Sequence, residues 1–123
     1  MKVTGIDHVQ VAIPEGSEDR ARAFYKNVLG LKEVEKPEKL KGRGGLWFED
    51  GSLKLHLGID KDFIPAKKAH PGIAVVGLED YKSKLIETGH PMVEGEKLPG
   101  QDRIFTEDPF GNRIELVEHE IDQ

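Results

Sequence analysis

A chain of 123 residues, 37% hydrophobic and 33% charged, is long enough for one domain and polar enough to stay in water. Its net charge of −5, with lysines and arginines scattered among acids, excludes an extended phosphate-binding face, so no nucleic-acid partner is expected. Having no cysteine excludes disulfides and thiolate chemistry, and having no apolar run near the roughly 18 residues that span a bilayer excludes a membrane helix, so a cytoplasmic protein is expected.

Residues 3 to 13 alternate well enough for a strand that Pro14 ends, with Val9, Val11 and Ile13 on one face and His8, Gln10 and Ala12 on the other. Ser17 is placed as an N-cap. Ala21, Phe24, Tyr25, Val28 and Leu29 then recur on one helical face that Gly30 closes. A short strand is predicted at 32 to 35, an exposed loop from 36 to 45, and a hairpin of residues 46 to 49 and 53 to 57 turned by Asp50-Gly51.

After a polar connection the plan repeats. A strand is predicted at 70 to 76, a helix at about 79 to 88 closed by Gly89, a weak strand near Met92 and Val93, and a Gly/Pro loop from 95 to 100. A second hairpin follows, strands 103 to 107 and 113 to 118 around Asp108-Pro109-Phe110-Gly111-Asn112. Asp7-His8-Val9-Gln10-Val11 is echoed by Ala69-His70-Pro71-Gly72-Ile73, and each half closes on a strand carrying an ionisable residue, His56 or Glu115. The predicted class is α+β: one domain made of two βαβββ modules, about 1–58 and 69–119, forming a cupped, incomplete barrel.

A polar side chain on the inner face of a curled sheet is expensive unless it is bonded or wetted. His8, His56, His70 and Glu115 all sit opposite the aliphatic phase of their strands. Three imidazoles and a carboxylate drawn from four strands suit one divalent ion: zinc, nickel, iron, manganese or cobalt. Arg113 shares the phase of Glu115 and either orients that carboxylate, binds an anionic substrate or forms a surface ion pair; Arg103 lies near the expected substrate mouth. Trp47 either walls the pocket or packs in the core. His90 and His119 read as solvated.

The first-strand motif, Ala23-Phe24-Tyr25 through Leu29-Gly30-Leu31, His70, and Asp108-Pro109-Phe110-Gly111-Asn112-Arg113-Ile114-Glu115-Leu116 together resemble the vicinal oxygen chelate superfamily, which holds glyoxalases, bleomycin-resistance proteins and extradiol dioxygenases. The resemblance covers almost the whole chain. It implies metal ligands on the first and last strands of each module, here His8, His56, His70 and Glu115. It further implies a lyase/isomerase or a dioxygenase that chelates the adjacent oxygens of a small-molecule substrate, with Glu115 moving a proton, Gln10, Trp47, Arg103 and Arg113 near the substrate, and assembly as a homodimer. The alternative it implies is a bleomycin-resistance-type protein that sequesters a ligand without catalysis. The chain departs from bacterial glyoxalase I at His56 and Ala12, and from fosfomycin-resistance enzymes at Gln10.

Overall fold

A computed structural model describes residues 1–121 and divides the chain into two compact units, with the division between Ile64 and Pro65. The first unit runs β1 (Val9–Ile13), α1 (Glu18–Tyr25), β2 (Glu33–Val34), a 3₁₀ turn (Glu38–Arg43), β3 (Leu46–Asp50) and β4 (Leu53–Ile59). Its sheet has the order β1-β4-β3-β2, with β1 parallel to β4 and the other pairings antiparallel. The second unit runs β5 (Gly72–Ala74), α2 (Leu78–Glu87), β6 (Met92–Glu94), β7 (Gln101–Glu107) and β8 (Arg113–His119), in the matching order β5-β8-β7-β6. The class is α+β, with two βαβββ modules. Neither sheet closes on itself, and no helix among the described residues is long and apolar enough to cross a membrane.

Strand alternation sorts the first sheet into two faces. Val11 pairs with Leu57, which pairs with Leu46, while Leu55 pairs with Phe48; all five are buried. Ala21, Phe24 and Tyr25 of α1 are fully buried on this side, with the Tyr25 ring 5.9 Å from that of Phe48. Each such large side chain taken wholly out of water contributes about 1.5–3 kcal/mol. The helix is shorter than its apolar pattern predicts. Val28 and Leu29 are buried, but Leu29 N–H reaches back to Phe24 O and Leu31 N–H to Tyr25 O around Gly30, whose φ is 76°. That wide closing turn is what a glycine in the left-handed region permits. Ser17 occupies the N-cap, but its hydroxyl donates to the Pro14 carbonyl instead of accepting from the helix.

The strand predicted from residue 3 begins only at Val9. Nothing in the first unit pairs with residues 1–7 as a strand, although the sequence alternates. The loop predicted over 36–45 contains the 3₁₀ turn.

In the second unit Ile73, Leu78, Leu85, Ile104, Ile114 and Leu116 form the buried face. The first turn of α2 is capped from a distance: Glu118 on β8 accepts from Gly77 N–H and Leu78 N–H. Those bonds favour the carboxylate and hold its pKa below the usual 4.5. The turn between β7 and β8 is knotted internally. Buried Asp108 accepts from Phe110 N–H, Asn112 N–H and the Asn112 side-chain amide, and Asn112 Oδ1 accepts from Ala66 N–H. Arg113 N–H donates to Ala66 O and Glu115 N–H to Pro71 O. Backbone bonds thus hang the strap leading into β5 along β8, and this placement brings His70 to Glu115.

Candidate active site

In the first unit the polar face of the sheet is a row. Gln10 pairs with His56, and His56 with Trp47, so all three side chains emerge on the face opposite the core. The indole lies flat on His56, centroids 3.9 Å apart and planes 2° apart; the His8 ring stacks on His56 at 4.6 Å and 21°. This resolves the open reading of Trp47: it lies on the face opposite the core and lines the cavity there. His56 is 5% exposed, and burial pushes its pKa below 6.5, so the ring is neutral near pH 7. Its buried Nε2 has no hydrogen-bond partner of good geometry, with Glu49 Oε2 3.5 Å away and opposing the effect of burial on the ring. Exposed His8 is held through Nδ1 by Asp7 at 2.9 Å, a bond that lowers the Asp7 pKa with help from Lys54. Gln10 lies over Gly58, where a Cβ would come within 2.6 Å of the amide nitrogen. A cavity of about 510 Å³ opens on this face, within the range of small-molecule sites.

The second unit repeats the row with other chemistry. Gly72 pairs with Glu115, and Glu115 with Phe105. His70 precedes the strand, its ring edge-on to Phe105 at 5.5 Å. His70 Nδ1 is 2.9 Å from the Lys68 carbonyl, which can only accept, so the proton belongs on Nδ1. Its Nε2 is 3.1 Å from Glu115 Oε1, and Arg103 donates to Glu115 Oε2 at 3.1 Å. Arg103 rather than Arg113 therefore orients the carboxylate; the Arg113 guanidinium lies over the Phe105 ring, 4.0 Å from its centroid.

The predicted ligands are thus brought together as two pairs, His8 with His56 and His70 with Glu115. Among the described residues no group of three or more metal-ligating side chains gathers in one place. The donors nevertheless fit a divalent ion. In a neutral His70 with its proton on Nδ1, a nitrogen lone pair and a carboxylate face each other across 3.1 Å, an arrangement that calls for a proton or a cation. The buried, unpartnered nitrogen of His56 is a second such donor. Sequence reasoning missed Glu49. Its phase, two residues from Trp47 on the strand beside His56, was the available signal.

The family pattern described as the Glyoxalase/Bleomycin resistance protein/Dioxygenase superfamily matches residues 5–116. The chain belongs to that superfamily. A glyoxalase family protein from Bacillus anthracis shares 45% identity over 98% of both chains, with a TM-score of 0.91. The fosfomycin resistance protein FosX from Listeria monocytogenes, solved with Mn(II) and 1S,2S-dihydroxypropylphosphonic acid, superposes with a TM-score of 0.75 at 16% identity, covering 97% of this chain and 93% of its own. A lactoylglutathione lyase from Agrobacterium tumefaciens gives a TM-score of 0.68 at 22% identity over 95% of each chain. At these lower identities the likeness is one of fold. Among proteins of curated function none matches.

Proposed function

We propose that this protein is a metal-dependent enzyme of the glyoxalase type, a lyase/isomerase or dioxygenase acting on a small substrate with two adjacent oxygens. His8, His56, His70 and Glu115 are its metal ligands. The observation that carries the reading is the His70–Glu115 contact, Nε2 to Oε1 at 3.1 Å, with the far side of the imidazole tied to a carbonyl. A carbonyl bond on one nitrogen is the usual way a protein turns the other toward a metal. The ion, one of zinc, nickel, iron, manganese or cobalt, would supply polarisation of the substrate oxygens. FosX, whose structure holds Mn(II), supports the choice of a first-row ion.

The chain's own residues have separable tasks. Arg103 holds Oε2 of Glu115, and Oε1, the oxygen that faces His70, takes up and returns a proton. Trp47 fixes the plane of His56 and walls the cavity; Gln10 presents an amide to the same space. Arg113 stands on Phe105 at the edge of the second row as a positive charge for the substrate. We also propose a homodimer, supported by the exposed apolar side chains of Met1, Val3 and Ile6 in an N-terminal segment that joins no sheet.

The test is elemental analysis and metal titration of protein purified without a histidine tag. His70→Ala is expected to abolish tight binding and leave the fold intact, because the side chain lies outside the core. An unchanged affinity removes His70 from the site. One observation favours a second reading: Arg103 already balances the charge of Glu115, so the carboxylate is satisfied without an ion. In that case the protein sequesters a ligand without catalysis, and purified protein would resist loading with all five metals.

A further inference from the structure

The cavity on the first sheet has a second end that the ligand residues do not use. Its floor follows β4 from His56 through Leu57 and Gly58 to Ile59, about 10 Å at ~3.3 Å per residue. At the His56 end acids are present: Asp7 bonds His8 and feels Lys54, and Glu49 faces His56. The Ile59 end is closed by the 3₁₀ turn and Gly44; its lining contains Lys36 and Arg43, while the Glu18 carboxylate behind Gly44 is already engaged, accepting from Gly45 N–H. Lys36 Nζ donates to the Gly44 carbonyl, which aims the ammonium along the cavity wall without neutralising it. Arg43 is exposed and makes no hydrogen bond or ion pair among the described residues. In a chain of net charge −5, two cations that form no ion pair, set against one backbone-bonded carboxylate at the same end of a ligand-sized cavity, leave a local positive excess.

We propose that Lys36 and Arg43 anchor an anionic group of the substrate, a carboxylate, phosphate or phosphonate, while the substrate's other end lies toward His8 and His56. The inference rests on the reading above only for the identity of the reacting end. It narrows the substrate class to small anions whose charged group sits several bonds from the reacting oxygens. Arg43 supplies a planar fork suited to two oxygens of such a group, and Lys36 supplies a point charge beside it. A cationic ligand would meet like charge at this end.

The single tryptophan, Trp47, lines the same cavity, so its fluorescence reports occupancy. The experiment titrates the full chain, stripped with EDTA, with phenylphosphonate and, as a neutral counterpart, benzyl alcohol. Phenylphosphonate is expected to bind more tightly than benzyl alcohol and to weaken about tenfold in Arg43→Gln and in Lys36→Met, the loss of one charge-assisted contact each. Lys26→Gln, outside the cavity, should bind both probes as the parent does. Equal binding of the two probes, no binding of either, or an Arg43→Gln protein as tight as the parent would overturn the anchor. Metal titration of Arg43→Gln is expected to match the parent, so failure of the metal reading appears there and failure of the anchor in the probe titration.

Discussion

The two sheets follow the same path, β1-β4-β3-β2 and β5-β8-β7-β6, and the same register, yet matching positions carry different chemistry. The row Gln10–His56–Trp47 corresponds to Gly72–Glu115–Phe105. Two residues before the aromatic stands Gly45 in one half and Arg103 in the other. The first half therefore offers the His56 imidazole stacked between a flat indole and His8, with no arginine on the last-strand residue. The second offers a carboxylate held between a histidine and an arginine, with its aromatic ring taken up by guanidinium contacts. A backbone repeat supplies positions; the donor chemistry at each is set by four or five side chains and is free to diverge between copies.

The Gly45/Arg103 contrast is the sharpest place to break the comparison. Gly45 has φ +85°, and a Cβ there would stand 2.2 Å from the Leu57 carbonyl oxygen. Gly45→Ala is expected to cost about 3 kcal/mol or more, since backbone strain adds to a clash with a fixed β4 carbonyl. Gly111→Ala, also at positive φ (+90°) but facing the movable Lys67 ammonium, should cost about 1 kcal/mol. Urea midpoints of both variants measure the difference; equal costs would mean that β4 yields at Gly45.

Next in size is the turn that has no counterpart in the first half. Asp108→Ala strips three hydrogen bonds from a buried turn and leaves amide donors unpaired. A loss of about 2–3 kcal/mol is expected, with hydrogen exchange accelerated first along the strap of residues 65–71. A uniform acceleration over both halves would argue against a local clamp. A smaller effect follows from Trp47→Leu, which removes the flat stacking on His56 at about 0.5–1.5 kcal/mol. Chemical denaturation gives that figure.

Acidification should separate the halves most finely. The His56 pKa is depressed below 6.5, so the unfolded chain binds the proton more readily, and stability is lost as pH falls below about 6.5. The Glu118 pKa is depressed below 4.5, so its contribution is present above 4.5 and is lost only as pH falls further. Stability against pH is therefore expected to fall in two limbs. His56→Phe should remove the upper limb and Glu118→Gln the lower. Loss of both limbs in either variant would show that the two halves do not titrate independently.

Much of the architecture could be read from the residues. The echo of His8 by His70, the two apolar helix faces, the closing glycines and the Asp50-Gly51 turn placed every strand and α-helix of both modules in order, because these patterns act over a few residues; the 3₁₀ turn was read as loop. Element ends were less legible. The alternation of residues 3–8 resembles a strand, but a strand requires a neighbour to pair with, and β1 finds one only from Val9 onward. The motif Asp108-Pro109-Phe110-Gly111-Asn112 read as a hairpin turn. Its side chains prove to be the device that ties Ala66, and through the strap His70, to β8.

The residues alone determined which positions face away from each core, since strand phase is a property of the chain, and so singled out His8, His56, His70 and Glu115. Only the folded sheets decided what those side chains touch. That Arg103 and not Arg113 bonds Glu115 and that Trp47 lies on His56 depend on register and on the reach of long side chains across strands; that Lys36 and Arg43 share a cavity with His56 depends on how the 3₁₀ turn between β2 and β3 is placed. The first two contacts join residues 12 and 9 positions apart, and their partners are fixed by inter-strand hydrogen bonding, which no local pattern encodes.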